Sequence, residues 1–453
     1  MEQISIFDFT AKEKFKIDKP IRLIELFAGY GSQALALRYL GIPFENWKIS
    51  EWAIKSIQAY KDLHNTSDSS DYSADKTIEE IRTWLCGRIS ADYNTPLTSE
   101  QVKRRSEKEL RTIYNNMVAT NNIGSITNIT GNDLQIVDTD KYDYILTYSF
   151  PCQDLSSAGK GAGMGKGSGT RSGLLWEVER LLKETKELPQ VLLMENVPEV
   201  IGSKNIKHFA KWVEFLDNLG YRSKWGLLNA KDFGIAQNRN RCFMVSVLGD
   251  YFYTMPTGFE LRNVLKHFLD KEVDESYYLK DETIRSLNLH KERHEAQGHG
   301  FGWKPSNGGG NLEPKIIEEP LAYDEQNKYL RRDGIVGTLT TDGSSPKHNN
   351  RVVEPVIDAS SYISKDFPEN TNIAGKDMTR YRVRKLTERE CFKLMGVKQE
   401  DFEKIRKNQS KSSCYHLAGD SIVTTVLMAI FGQMFDVDWK TKINELAEEL
   451  TNE

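Results

Sequence analysis

A cysteine directly after a proline, Pro151-Cys152-Gln153, closes a segment that opens with the aliphatic run Tyr144–Tyr148. A thiolate is a strong nucleophile, and a cysteine at the C-terminal end of a buried strand stands where open α/β sheets place ligands. A buried structural thiol would satisfy the same residue. A second run, Val191–Met194, leads into Glu195-Asn196-Val197 and brings a carboxylate to the same end of a sheet. Such a group can move a proton to or from a bound substrate, or be an ordinary strand-end acid. A third segment, Gln237-Asn238-Arg239-Asn240-Arg241, feeds the run Cys242–Leu248. Alternate residues of extended chain share a side, so Arg239 and Arg241 present two guanidiniums together, to an anion, to a polar base edge or to solvent.

A cofactor site is suggested nearer the N-terminus. Ile21–Leu26 is followed by Phe27-Ala28-Gly29-Tyr30-Gly31-Ser32. Glycines there let a ligand approach the backbone, and the following helix N-terminus favours an anionic group. Glu51 lies 22 residues after Gly29, at the end of the next strand, where a carboxylate can accept hydrogen bonds from ribose hydroxyls. Trp52 offers a plane for adenine. The third glycine of a dinucleotide fingerprint is missing, so an adenosyl cofactor suits the segment better than NAD. Residues 159–169 carry six glycines but lack the G-x-x-x-x-G-K-[ST] spacing of a phosphate loop.

The elements that must position these residues alternate. Strands are expected at 21–26, 47–50, 144–148, 191–194 and 243–248, and helices at 33–40, 53–63, 174–186 and 207–219. This rhythm predicts an α/β fold with a doubly wound, mostly parallel sheet. Two stretches interrupt it. Residues 64–123 form a polar insertion with a charged helix near 99–118, read as a solvated face or a phosphate contact. Residues 251–380 are irregular and fit a second, smaller domain, giving a catalytic unit at 1–250 and a return to it at 381–445. The chain of 453 residues has a net charge of −4 and five scattered cysteines without a CxxC pair, which argues against a disulfide framework or a zinc site. No membrane span or signal peptide is expected, and the location that follows is cytoplasmic.

Taken in order, Phe27–Ser32, Pro151-Cys152-Gln153, Glu195-Asn196-Val197, Gln237-x-Arg239-x-Arg241, Arg384-x-Leu386-Thr387-x-x-Glu390 and Gly419-Asp420-Ser421 resemble the ordered motifs of the DNA cytosine-5 methyltransferases of bacteria and phages. The resemblance spans residues 21–435. It implies the S-adenosylmethionine-dependent methyltransferase fold, with 251–380 as target recognition domain. It implies Cys152 as nucleophile, Glu195 as the acid facing the base, and Arg239 and Arg241 as base-contacting cations. The cofactor S-adenosylmethionine, with no metal, would be held by Phe27, Gly29, Gly31, Glu51, Trp52, Pro151, Leu174, Ser421 and Val423. The adenine contact would come from Ser125-Ile126 or from Asp133, and Asp420 stands where the family usually has asparagine.

The DNA contacts implied are Gln153, Ser156, Gln237 and the Thr338-Leu339 element, and the 153–171 loop would close over a flipped base with Lys160 and Lys166 near phosphates. Because 251–380 holds 17 Lys and Arg against 21 Asp and Glu, phosphate binding there needs a local patch. Arg331, Arg332, Lys347, His348, Asn349, Asn350 and Arg351 form the best one. The expected partner is duplex DNA, the expected state a monomer, and a companion restriction endonuclease acting separately fits the bacterial members. The alternatives are the same chemistry on tRNA, or a catalytically silent DNA-binding regulator.

Overall fold

The computed structural model describes residues 13–151, 164–166, 171–279, 320–324, 329–331, 333–341, 350–355 and 381–452. Cys152, Gln153, Ser156, Lys160, Arg332, Lys347, His348 and Asn349 lie outside them.

Eight strands come first: β1 (Glu13–Lys14), β2 (Ile21–Leu26), β3 (Phe44–Ser50), β4 (Asp143–Tyr148), β5 (Val191–Asn196), β6 (Tyr221–Asn229), β7 (Asn240–Leu248) and β8 (Tyr251–Phe252). Six of them build the central sheet in the order β3-β2-β4-β5-β7-β6. Strands β2 to β5 run parallel, and β7 runs antiparallel to both of its neighbours. The strand Tyr221–Asn229 was not anticipated. Its sequence, YRSKWGLLN, has only two residues fully buried and lacks a continuous apolar run, as suits a sheet edge.

Side chains alternate across the sheet. Ile21, Leu23, Ile145, Val191 and Leu193 enter one core, together with α1 (Ser32–Leu40) and the C-terminal helices Glu388–Lys393 and Thr424–Phe435. Ile24, Leu26, Tyr144, Leu146, Leu192 and Met194 enter a second core, capped by α6 (Leu175–Glu184) and α7 (Ile206–Asn218). Each aliphatic side chain so buried contributes about 1.5–3 kcal/mol. This two-sided burial is the doubly wound arrangement expected from the sequence.

Between β3 and β4 come α2 (Ile54–His64), α3 (Ile78–Leu85), α4 (Ser99–Lys103) and α5 (Glu107–Ala119). The charged helix is therefore two helices, separated because Ser106 caps the second through Glu109 N–H. The insertion has a small core of its own, built from Ile57, Ile81, Leu85, Ile89, Leu97, Val102, Leu110, Ile113 and Met117. Arg105 pairs with Glu109 and Arg111 with Glu107, so these cations serve the helix itself.

A second sheet of β9 (Leu321–Asp324), β10 (Tyr329–Arg331), β11 (Arg351–Pro355) and β12 (Tyr381–Lys385) is antiparallel throughout, in the order β10-β9-β11-β12. Strand β12 pairs with β11 along its whole length, so this sheet continues past residue 380. Arg384, fully buried, is forked onto Glu390 at 2.8 Å by both terminal nitrogens and meets Glu354 at 2.6 Å, which fixes the sheet to the helix that follows. Lys411–Phe435 qualifies as a membrane span by length and hydropathy. However, 83% of its apolar window is buried, and Ser421–Val423 divide it into two helices.

Candidate active site

The register aligns the C-terminal ends of four parallel strands in one row, Ser50–Leu26–Tyr148–Met194. Whatever follows that row emerges on one edge: the Phe27–Gly31 turn, Glu51 and Trp52, Pro151, and Glu195 with Asn196. Because β7 runs the other way, its beginning reaches the same edge and brings Arg239 and Arg241 with it. Ligands bind at such an edge in open α/β sheets.

On the Glu51 side the chain is bent tightly. Phe27, Gly29 and Gly31 all have left-handed backbones, at φ 60°, 58° and 84°. A Cβ on Gly31 would lie 2.5 Å from His64 Nε2 and 2.6 Å from Tyr60, whereas one on Gly29 would meet nothing within 4 Å. Gly31 is thus required by packing, and Gly29 faces open space. Glu51 is buried, and its two oxygens accept the N–H groups of Gly29 (2.9 Å) and Ala53 (2.7 Å). Burial outweighs these bonds and raises its carboxyl to about 7. Asn122, which the sequence did not single out, accepts Glu51 N–H and Gly124 N–H and donates to Glu51 C=O, fixing the acid beside the Gly124–Ile126 turn.

Ser125 and Ile126 therefore adjoin Glu51. Asp133 is turned onto Thr130, in a cap packed beside Glu184. Trp52 and Leu174 are half-buried and Val423 is buried. Ser421 donates to the Tyr30 hydroxyl at 2.9 Å, tying the chain's C-terminal part to the glycine turn. The helix N-terminus itself is not free. Glu25, fully buried, accepts Ala34 N–H from below and receives the Tyr60 hydroxyl at 2.6 Å. An adenosyl group fits what remains: a buried acid at the strand tip, open space over Gly29 and half-buried aromatic rings.

On the other side, Asn196 Nδ2 donates to Phe150 C=O at 2.9 Å, which draws the end of β5 against the segment leading to Cys152. Ser172 donates to Pro151 C=O at 2.9 Å. Glu195 Oε1 is 3.2 Å from Arg241 Nε, and both side chains are largely buried. Burial pushes the Glu195 carboxyl above its ordinary value, while Arg241 and Arg239 oppose the rise.

Arg239 differs from its expected role. Its side chain is buried and donates to three main-chain carbonyls, of Leu339 (2.9 Å), Gly419 (2.7 Å) and Ser421 (2.8 Å). It acts as a clamp joining three distant segments, so of the two arginines Arg241 is the one directly beside Glu195. Gln237 is likewise corrected as a DNA contact. It is fully buried, with its amide nitrogen on Leu394 C=O and its oxygen on Leu339 N–H. Thr338 donates to Asn238 C=O and Leu339 is buried, so the Thr-Leu element is stitched to the Gln237–Arg239 segment some 100 residues away in sequence. Gly419 permits this, since a Cβ there would lie 2.4 Å from the Thr340–Thr341 peptide.

The expected basic patch dissolves among its described members. Arg331 pairs with Asp333 at 3.0 Å, Asn350 spans Gly337, and Arg351 is buried. Lys166 pairs with Glu179 at 2.7 Å. Among the described residues no group of three or more His, Cys, Asp or Glu could hold a metal ion.

A mostly parallel six-stranded sheet with β7 antiparallel, its strand tips carrying a glycine turn, a buried acid and a second acid against arginine, is the arrangement of the S-adenosylmethionine-dependent methyltransferase fold. Comparison with known proteins narrows the class. Residues 93–436 match the family model for C-5 cytosine-specific DNA methylase. The chain is 32% identical over 421 residues to the type II methyltransferase M2.ScrFI of Lactococcus lactis subsp. cremoris, covering 92% of this chain and 99% of that one. It is 29% identical to the orphan methyltransferase M.SssI of Spiroplasma monobiae, over 92% and 97%. In fold it is similar to the Entamoeba histolytica methyltransferase EhMeth, at TM-score 0.56 and 15% identity, covering 92% of this chain and 99% of that one. The protein belongs to the C-5 cytosine-specific DNA methylases, enzymes that methylate DNA with S-adenosylmethionine as donor.

Proposed function

We propose that this enzyme methylates C5 of a cytosine flipped out of a specific duplex sequence, through a covalent bond between Cys152 and C6. The observation that carries the reading is the seam between β4 and β5. Asn196 holds the Phe150 carbonyl, two residues before Cys152, while Glu195 beside it is buried against Arg241. Cytosine C5 is too electron-poor to take a methyl group unaided. Addition of the Cys152 thiolate to C6 forms the S–C6 bond and shifts the ring electrons toward C5. Glu195, its carboxyl raised by burial, is suited to protonate or hydrogen-bond N3 and so favour that addition. Arg241 orients Glu195 and opposes the upward shift that burial imposes on its carboxyl. Bound S-adenosylmethionine supplies an electrophilic methyl group. Loss of the C5 proton then returns the electron pair that expels Cys152 as thiolate.

Glu51 would accept the ribose hydroxyls, Phe27 and Trp52 would flank adenine, and Gly29 leaves room for the cofactor beside the main chain. Flipping costs about a few kcal/mol, recovered from contacts to the extruded nucleotide. We infer a cytoplasmic monomer acting on duplex DNA, with a separate restriction endonuclease as companion, in keeping with the type II name of one relative.

Tritiated S-adenosylmethionine offered with duplex DNA, tRNA or no nucleic acid tests the substrate, and label is expected in duplex DNA alone. Duplex containing 5-fluorocytosine tests the bond. The parent enzyme should be trapped as an adduct stable to denaturant and Cys152→Ala should not. A trapped adduct in Cys152→Ala would refute the assignment.

A further inference from the structure

The insertion between β3 and β4 delivers one side chain to the cofactor edge. It docks directly after Glu51. Ser90 N–H donates to Trp52 C=O at 2.7 Å, and Ile54 N–H donates to Ser90 C=O at 3.0 Å. Two residues on, Asp92 accepts from Ser90 Oγ and from the N–H groups of Asn94 and Thr95, closing a tight turn around Tyr93. That turn holds Tyr93 at φ 63°, a left-handed backbone that an aromatic residue adopts only when its surroundings impose it. The ring lies against the imidazole of His416, with centroids 4.0 Å apart and planes tilted by 37°. His416 stands one helical turn before Asp420, and its Nε2 is 3.0 Å from Asp420 Oδ2. The Tyr93 hydroxyl is within electrostatic reach of both Glu51 and Asp420, and beside Ser56 of α2.

We propose that Tyr93 and His416, stacked between Glu51 and Asp420, wall the mouth of the adenosyl site and retain the cofactor, so that the insertion is part of the cofactor-binding machinery. Strain at Tyr93 has no purpose in the insertion's own core, to which the ring does not belong. It sets the ring against His416 of the Lys411–Asp420 helix, within electrostatic reach of Glu51. Residue types fit the task, since a flat aromatic pair covers a nucleoside while leaving the polar rim formed by Glu51 and Asp420. The inference rests on the reading that Glu51 marks the ribose position.

Titration calorimetry of the full chain with S-adenosylhomocysteine, without DNA, tests it apart from turnover. Tyr93→Leu and His416→Ala should each weaken binding at least about fivefold, the worth of one aromatic contact. Tyr93→Phe, which keeps the ring, should bind like the parent. His416 is partly exposed on its helix, so its replacement carries the test if Tyr93→Leu fails to fold. Affinities within twofold of the parent for the folded variants overturn the proposal, as does a loss in Tyr93→Phe equal to that in Tyr93→Leu. Glu51→Ala separates the two readings. If it weakens binding while the Tyr93 and His416 variants do not, only the wall is refuted. If it too binds like the parent, the adenosyl site has been placed wrongly.

Discussion

Arg239 offers a sharp test, because its geometry assigns it a different task from its neighbour two residues on. The guanidinium joins Leu339 to Gly419 and Ser421 at the end of the Lys411–Asp420 helix. A hydrogen bond to a charged group is worth about 1.5–3 kcal/mol. Three bonds to one side chain are not additive, so removing them in Arg239→Met is expected to cost about 4 kcal/mol. Arg239→Lys keeps the charge but cannot span both sides, and should cost about 2 kcal/mol through the bond it loses. Both variants should lower the midpoint of guanidinium unfolding, followed by tryptophan fluorescence, with Met lower than Lys. Residual turnover should track the folded fraction. If both variants unfold like the parent but turnover falls by about a thousandfold, Arg239 acts on the base directly and the clamp argument is wrong.

Three further outcomes follow from the same geometry. Glu195→Gln should lower kcat about a hundredfold or more while leaving S-adenosylhomocysteine affinity unchanged, and Arg241→Ala should move the acid-dependent limb of the pH–rate profile to higher pH, because the largest cation opposing the Glu195 shift is gone. Gly31→Ala should destabilise the fold, since its Cβ meets His64 and Tyr60, whereas Gly29→Ala should remain more stable than Gly31→Ala yet lose cofactor affinity in calorimetry. Glu25 is raised by burial from 4.5 to about 7, so its contribution is present below pH 4.5 and lost as pH rises through about 7. Glu25→Gln should remove about 3 kcal/mol of that pH dependence, and equal slopes for parent and variant would contradict the assignment.

The centre of the sheet was legible because β2, β4 and β5 are buried on both faces and read as short apolar runs, while α1, α6 and α7 keep a helical period. The edge strand Tyr221–Asn229 was not, because an exposed edge needs no such pattern. Glu51, Glu195 and Arg241 stood out because each ends or opens a strand at one sheet edge. Asn122 and Tyr93 gave no local signal, since their importance lies in what folds against them.

Sequence by itself determined the alternation of elements, the order of the motifs and hence the family, because strand and helix periods and residue types are local properties. Tertiary structure alone decided that Gln237 and Arg239 are buried fasteners, that Ser125 rather than Asp133 adjoins Glu51, and that the polar insertion docks on the chain directly after Glu51. Each of those depends on main-chain groups brought together from far along the chain. The physical reason is that a side chain's partners are set by long-range packing, which no spacing of residues records.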